Sequence, residues 1–207
     1  MKNVKKVLVI SPHTDDGEIG CGGAISRFVR EGCEIFYLAL SHSFLQSDGH
    51  TRSDLSGECK NALKVLGIKS YSILGFEARN FLRDRQMILD TFIQTKKEFD
   101  PDLVFVPISF DLHQDHQVVC EEARRAFRDC TVLGYEMFGR KQGENLSFFI
   151  QLEERDIKRK IKAFHQYKSQ KFRRYYDPKI LEGLATLRGL QIRYDYAEAF
   201  EPLLIIV

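Results

Sequence analysis

No long apolar run occurs in the 207 residues, and neither sign of charge prevails. The 31 basic and 29 acidic side chains leave a formal net charge of +2. That balance argues against nucleic acid or an anionic membrane as the main partner. The start "MKNVKKVLVISPH" is basic, but only VLVI is apolar before a polar loop, so it is neither a secretory signal nor a membrane-spanning helix. The five cysteines (Cys21, Cys33, Cys59, Cys120, Cys130) are odd in number and show no CxxC spacing. A disulfide framework and a thiolate zinc site are thereby disfavoured; buried reduced thiols and a cytoplasmic location are expected. Internal repeats, low-complexity linkers and composition breaks are also missing, so residues 1–207 read as one domain. What is present, 43% hydrophobic and 29% charged residues, is the profile of a soluble globular protein.

Short apolar runs alternate with helical periods. "KVLVIS" (6–11), "EIFYLALS" (34–41), "YSILG" (71–75), "LVFVP" (103–107) and "TVLGYEM" (131–137) read as buried strands. Between them, Ile25, Phe28 and Val29 share a helix face that stops at Gly32. Leu55, Cys59, Ala62 and Leu66 share another that stops at Gly67. Ile88, Phe92 and Phe99 repeat before the Asp100-Pro101 breaker, and Val119, Ala123 and Ala126 repeat after it. Ile157, Ile161 and Phe164 mark a further helix over 153–164, and "PLLIIV" a closing strand. The alternation predicts an α/β fold: a three-layer, Rossmann-like, mostly parallel sheet with helices on both faces.

The first predicted strand runs into "SPHTDDGEIGCGG" (11–23), where two adjacent aspartates precede four glycines. A dinucleotide fingerprint needs G-x-G-x-x-G straight after the strand. The order here, Gly17-x-x-Gly20-x-Gly22-Gly23, is different, and two carboxylates would repel a pyrophosphate. A bound cation reconciles the crowded negative charge better. His13 and Asp16 are three apart, so one turn can aim both at a single point. A second cluster, "DLHQDHQ" (111–117), follows the fourth strand and carries His113 and His116. In the strand order 3-2-1-4 these two strand ends flank the switch point where ligands bind. Taken singly, Asp15 or Asp16 reads equally well as a helix N-cap, and His116 as a solvated first-turn residue. Both clusters at neighbouring strand ends favour a site of two histidines and one carboxylate with a position left for water. Spacing does not choose between His113 and His116 as ligand.

At these residues the chain resembles the LmbE-like, or PIG-L, family of zinc-dependent N-deacetylases acting on N-acetylglucosamine-type conjugates. The family's P-H-P-D-D…G-C-G-G motif stands here as Pro12-His13-Thr14-Asp15-Asp16 and Gly20-Cys21-Gly22-Gly23, and its second histidine motif as His113-Gln114-Asp115-His116. Weaker echoes are Glu58, Ala62 and Leu66-Gly67, then Lys160, Ala163, Ser169-Gln170 and "YAEAF" (196–200). The family often has proline at the position of Thr14 and glutamate at that of Gly17.

The resemblance implies His13, Asp16 and His116 as ligands of Zn2+, with Fe2+ or another divalent ion compatible with the same donors. It implies Asp15 as general base, a protonated His113 at the oxyanion, and Asp115 as the group that orients His113. The implied activity is removal of an acetyl group from an N-acetylated amino-sugar conjugate, a small-molecule substrate. A sugar- or nucleotide-sugar-binding module with a vestigial metal site is the alternative; homo-oligomerisation stays open. Arg52 and Arg83, in loops after the second and third strands, are candidate substrate contacts. Residues of "YKSQKFRRYY" (167–176) are candidates to meet a phosphate or a sugar ring.

Overall fold

The computed structural model describes residues 4–45, 52–137, 145–173 and 176–206. In chain order the elements are β1 (Lys6–His13), α1 (Asp16–Arg30), β2 (Glu34–Ser41), β3 (Ser43–Leu45), β4 (Arg52–Asp54), α2 (Ser56–Leu66), β5 (Ser70–Ile73) and α3 (Arg85–Phe99). There follow β6 (Leu103–Pro107), α4 (Gln114–Ala126), β7 (Thr131–Tyr135), β8 (Phe148–Leu152), α5 (Glu154–Phe164), a 3-10 turn (Lys168–Gln170), α6 (Pro178–Gln191) and β9 (Tyr196–Leu204).

Seven strands form one sheet in the order β5-β2-β1-β6-β7-β9-β8. Pairings from β5 to β7 are parallel, and β9 runs antiparallel to both neighbours. The apolar runs are continuous because each central strand is buried on both faces. In β1, Val7 and Val9 face the core under α1, α2, α5 and α6, while Leu8 and Ile10 face the core under α3 and α4. Leu103 and Phe105 of β6 divide from Val104 and Val106 in the same way. The three-layer expectation holds.

Three details depart from the expectation. β7 ends at Tyr135, the closing strand begins at Tyr196, and a small antiparallel hairpin of β3 and β4 follows β2. The early start of β9 has a physical cause. Its Glu198 is buried and accepts the backbone N–H groups of Gly23 (2.9 Å) and Ala24 (2.7 Å) and the Lys160 ammonium (2.6 Å). Those amides are freed by a break in α1 at Cys21, whose backbone leaves helical geometry. Glu198 thus acts as a cap supplied from across the fold.

The GCGG run permits this approach. A Cβ on Gly20 would lie 2.1 Å from the Tyr135 ring, and one on Gly23 2.5 Å from Leu152.

Candidate metal centre

β1 and β6 are neighbours, and the loops at their carboxyl ends meet, as the switch-point reasoning requires. His13 ends β1 and Asp16 opens α1; the turn between them is closed by the Asp16 carboxylate, which accepts the His13 backbone N–H (2.9 Å). The same carboxylate oxygen lies 2.9 Å from His13 Nδ1 and 3.1 Å from His116 Nε2. His116 sits in the first turn of α4, fully buried. Its Nε2 makes no hydrogen bond of acceptable geometry despite that proximity. Two imidazoles and a carboxylate crowded this closely and largely out of reach of water are the donor set that a metal ion takes. One donor atom from each of His13, Asp16 and His116 falls within 4.8 Å of the others, so these three can hold a metal ion.

The remaining ring nitrogens argue for the same set. His116 Nδ1 lies 2.7 Å from buried Asp111, and His13 Nε2 lies 2.9 Å from buried Asp115. Each histidine therefore has a carboxylate behind it, as metal-bound imidazoles do. A second grouping of His13, His113 and Asp115 also converges. Its members are already engaged: Asp115 accepts the backbone N–H groups of Arg79 (2.6 Å) and Phe81 (3.4 Å).

One expectation needs correction. The Asp115 carboxylate does not orient His113; it faces His13, and only its backbone N–H reaches His113, donating to Nδ1 at 3.2 Å. This bond also makes His113 the N-cap of α4. With Nδ1 accepting, Nε2 is the nitrogen left to donate. Burial, then the charges of His116 and His13, push His113 down to about 4.

Electrostatics in the cluster follow the contacts. Burial opposes the charge on His13, but Asp16 and Asp115 more than offset it, raising it to about 10. Burial likewise opposes the charge on Asp16, yet His116 and His13 hold its carboxyl well below the usual range. Asp15 is raised by burial and then by Asp16, with Arg173 and His13 partly compensating. Asp15 occupies the N-cap of α1 without a side-chain bond to the helix. Glu18 is fully buried against Tyr37 and Tyr167, and burial pushes it up to about 8.

The candidate substrate contacts fare differently. Arg83 is exposed and engaged by Asp84 (2.8 and 3.0 Å) and Glu77 (3.3 Å), so its charge is already spoken for. Arg52 belongs by its backbone to β4, and its side chain lies outside the described residues. Tyr167 is fully buried and so is not free to line a sugar ring, while Tyr176 is half-buried and stacks on His165 at 4.9 Å. Arg174 and Tyr175 lie outside the described residues.

Sequence reasoning missed Asp111 and Arg79. A carboxylate heading "DLHQDHQ" was the available signal for Asp111. Arg79 carried none: its backbone adopts φ 72°, held by Asp115 on its N–H and by the Gln114 side chain on its carbonyl. Such backbone costs about 1–3 kcal/mol and persists where surroundings fix it.

Residues 8–127 match the model of the PIG-L family, described as GlcNAc-PI de-N-acetylase. The chain belongs to the PIG-L family. The uncharacterized deacetylase YaiS of Escherichia coli K12 is 33% identical over 138 residues, covering 64% of this chain and 74% of that protein. Diacetylchitobiose deacetylase of Thermococcus kodakarensis is 32% identical over 127 residues, covering 56% of this chain and 46% of that protein. Among solved structures, the conserved protein TT1542 from Thermus thermophilus superposes with a TM-score of 0.79 at 26% identity, covering 99% of this chain and 97% of that one. The PIG-L match spans both histidine clusters. Among the described residues no helix is long and apolar enough to cross a membrane.

Proposed function

We propose that this PIG-L member is a zinc-dependent N-deacetylase that releases acetate from an N-acetylated amino-sugar conjugate. The observation that carries the reading is the convergence of His13, Asp16 and His116 on one point, with the acid Asp15 next to Asp16 in the chain. The T. kodakarensis relative, named for its action on diacetylchitobiose, supports the substrate class.

His13, Asp16 and His116 would hold the ion, and Asp111 and Asp115 would keep its two imidazoles in the required tautomer and orientation. When bound, Zn2+ supplies Lewis acidity that makes water nucleophilic near neutral pH and polarises the amide carbonyl. Asp15 takes the proton of the attacking water and returns it to the departing nitrogen, which must leave as an amine. His113, neutral with its proton on Nε2, donates to the oxyanion that develops on the amide carbonyl. One such donor is worth about 3 kcal/mol.

The test is metal analysis of the purified protein, with amine release from a panel of N-acetylglucosamine conjugates before and after chelation. The expected result is stoichiometric zinc, amine release from at least one conjugate, loss on chelation and recovery with Zn2+. No amine release by the zinc-loaded protein would overturn the reading and favour a binding module. Stoichiometric iron in place of zinc would overturn the zinc assignment.

A further inference from the structure

The peptide leading into Asp15 is gripped from two distant parts of the fold. The carbonyl oxygen of Thr14 lies 3.1 Å from the Tyr37 hydroxyl and 2.6 Å from the Tyr167 hydroxyl. Tyr37 comes from β2 and Tyr167 from the turn after α5, and both are fully buried. Both hydroxyls also reach the Glu18 carboxyl, Tyr167 at 2.8 Å and Tyr37 in direct contact. Thr14, Tyr37, Glu18 and Tyr167 therefore form a closed ring around the turn that presents Asp15 and Asp16.

Residue 17 must be glycine for this ring to close: a Cβ there would stand 2.7 Å from the Tyr37 hydroxyl. This accounts for Gly17 where the family motif often has glutamate. Tyr167 is held in turn because Ser169 bonds Glu58 of α2 through its backbone N–H (3.0 Å) and its hydroxyl (2.6 Å). Asp15 makes no side-chain cap bond to its helix, so the backbone at this residue (φ −101°, ψ −10°) sets the direction in which its side chain leaves the chain.

We propose that Tyr37 and Tyr167 are positioning residues that fix the Thr14–Asp15 peptide and so aim the base. The proposal rests on the reading of Asp15 as general base. Tyr37→Phe and Tyr167→Phe each remove one hydroxyl and keep the ring. Each is expected to lower kcat about 10- to 100-fold, as small misplacements of a catalytic group do. KM should stay within about twofold. The double variant should lose more than either single, because only it removes both hydroxyls from the one buried carbonyl.

A second readout needs no substrate. Hydrogen exchange over residues 11–19 should quicken about tenfold in either variant, while residues 24–30 of α1 stay protected. Unchanged exchange over 11–19 with an unchanged kcat, even if 165–173 loosens or the melting temperature falls, would overturn the clamp. Should Tyr167→Phe not fold, Tyr37→Phe carries both measurements. Faster exchange over 11–19 in a protein that releases no amine would support the clamp and defeat the deacetylase reading.

Discussion

Asp111 offers a sharp test of the metal centre because both of its carboxylate oxygens accept. Oδ2 lies 2.7 Å from His116 Nδ1, and Oδ1 accepts the His113 backbone N–H at 2.8 Å. The side chain is 1% exposed, so water cannot substitute for either contact. Asn at this position has one acceptor oxygen and one NH2. If the oxygen faces His116, the NH2 meets the His113 N–H, donor against donor. If it faces His113, the His116 imidazole meets a donor and must hold its proton on Nε2, the nitrogen needed for the metal. Either way an interaction worth about 1–3 kcal/mol is lost. Loss of a carboxylate behind a metal-bound histidine lowers affinity about 10- to 100-fold, or about 1.4–2.7 kcal/mol. Competition for Zn2+ against a chromophoric chelator at fixed pH reads this directly, with circular dichroism to check folding. A folded Asp111→Asn protein whose zinc affinity stays within about threefold of the parent would refute the assignment of His116 Nε2 as ligand.

Asp15→Asn should keep its metal and lose about two orders of magnitude or more in turnover, since the amide cannot take a proton; full activity with stoichiometric zinc would remove Asp15 as base. Glu18 keeps its proton in the fold up to about pH 8, whereas in the unfolded chain it releases it near 4.5. The folded state then binds more protons, so this group makes stability fall as pH rises from 4.5 to about 8, by up to roughly 5 kcal/mol, and level off above. Urea unfolding of Glu18→Gln against the parent should show the variant gaining relative stability over that range; parallel curves would contradict the burial argument. Gly20→Ala places a methyl group 2.1 Å from the buried Tyr135 ring and should cost about 3 kcal/mol or more. Thermal melts check it, and an unchanged melting temperature would mean the ring has room that the packing denies.

Much of this arrangement was legible in the chain because the physics is local or periodic. Central strands such as "KVLVIS" announce themselves by unbroken apolar runs, and helices by their stops at Gly32 and Gly67. The candidate metal triad was legible because turn spacing and strand order together bring His13, Asp16 and the second cluster into one crevice. Spacing does not choose between His116 and His113; the geometry that groups His116 with His13 and Asp16 depends on Asp111 and on the N-cap of α4. Three-dimensional contacts of this kind have no spacing signature. The same holds for Asp115, flanked by His113 and His116 in the chain, whose carboxylate goes to a ring a hundred residues away. β9 was foreseen too short because Glu198 reads as a surface residue until its partners, Lys160 and two freed amides of α1, are in place.

The cap that Glu198 provides ties the first helix to the last strand. The donors of the proposed centre all lie before residue 117, yet the break at Cys21, in the helix that begins with Asp16, is closed by a carboxylate some eighty residues beyond His116. A change at Glu198 would therefore be felt in the helix that carries Asp16, although Glu198 itself belongs to neither loop of the site.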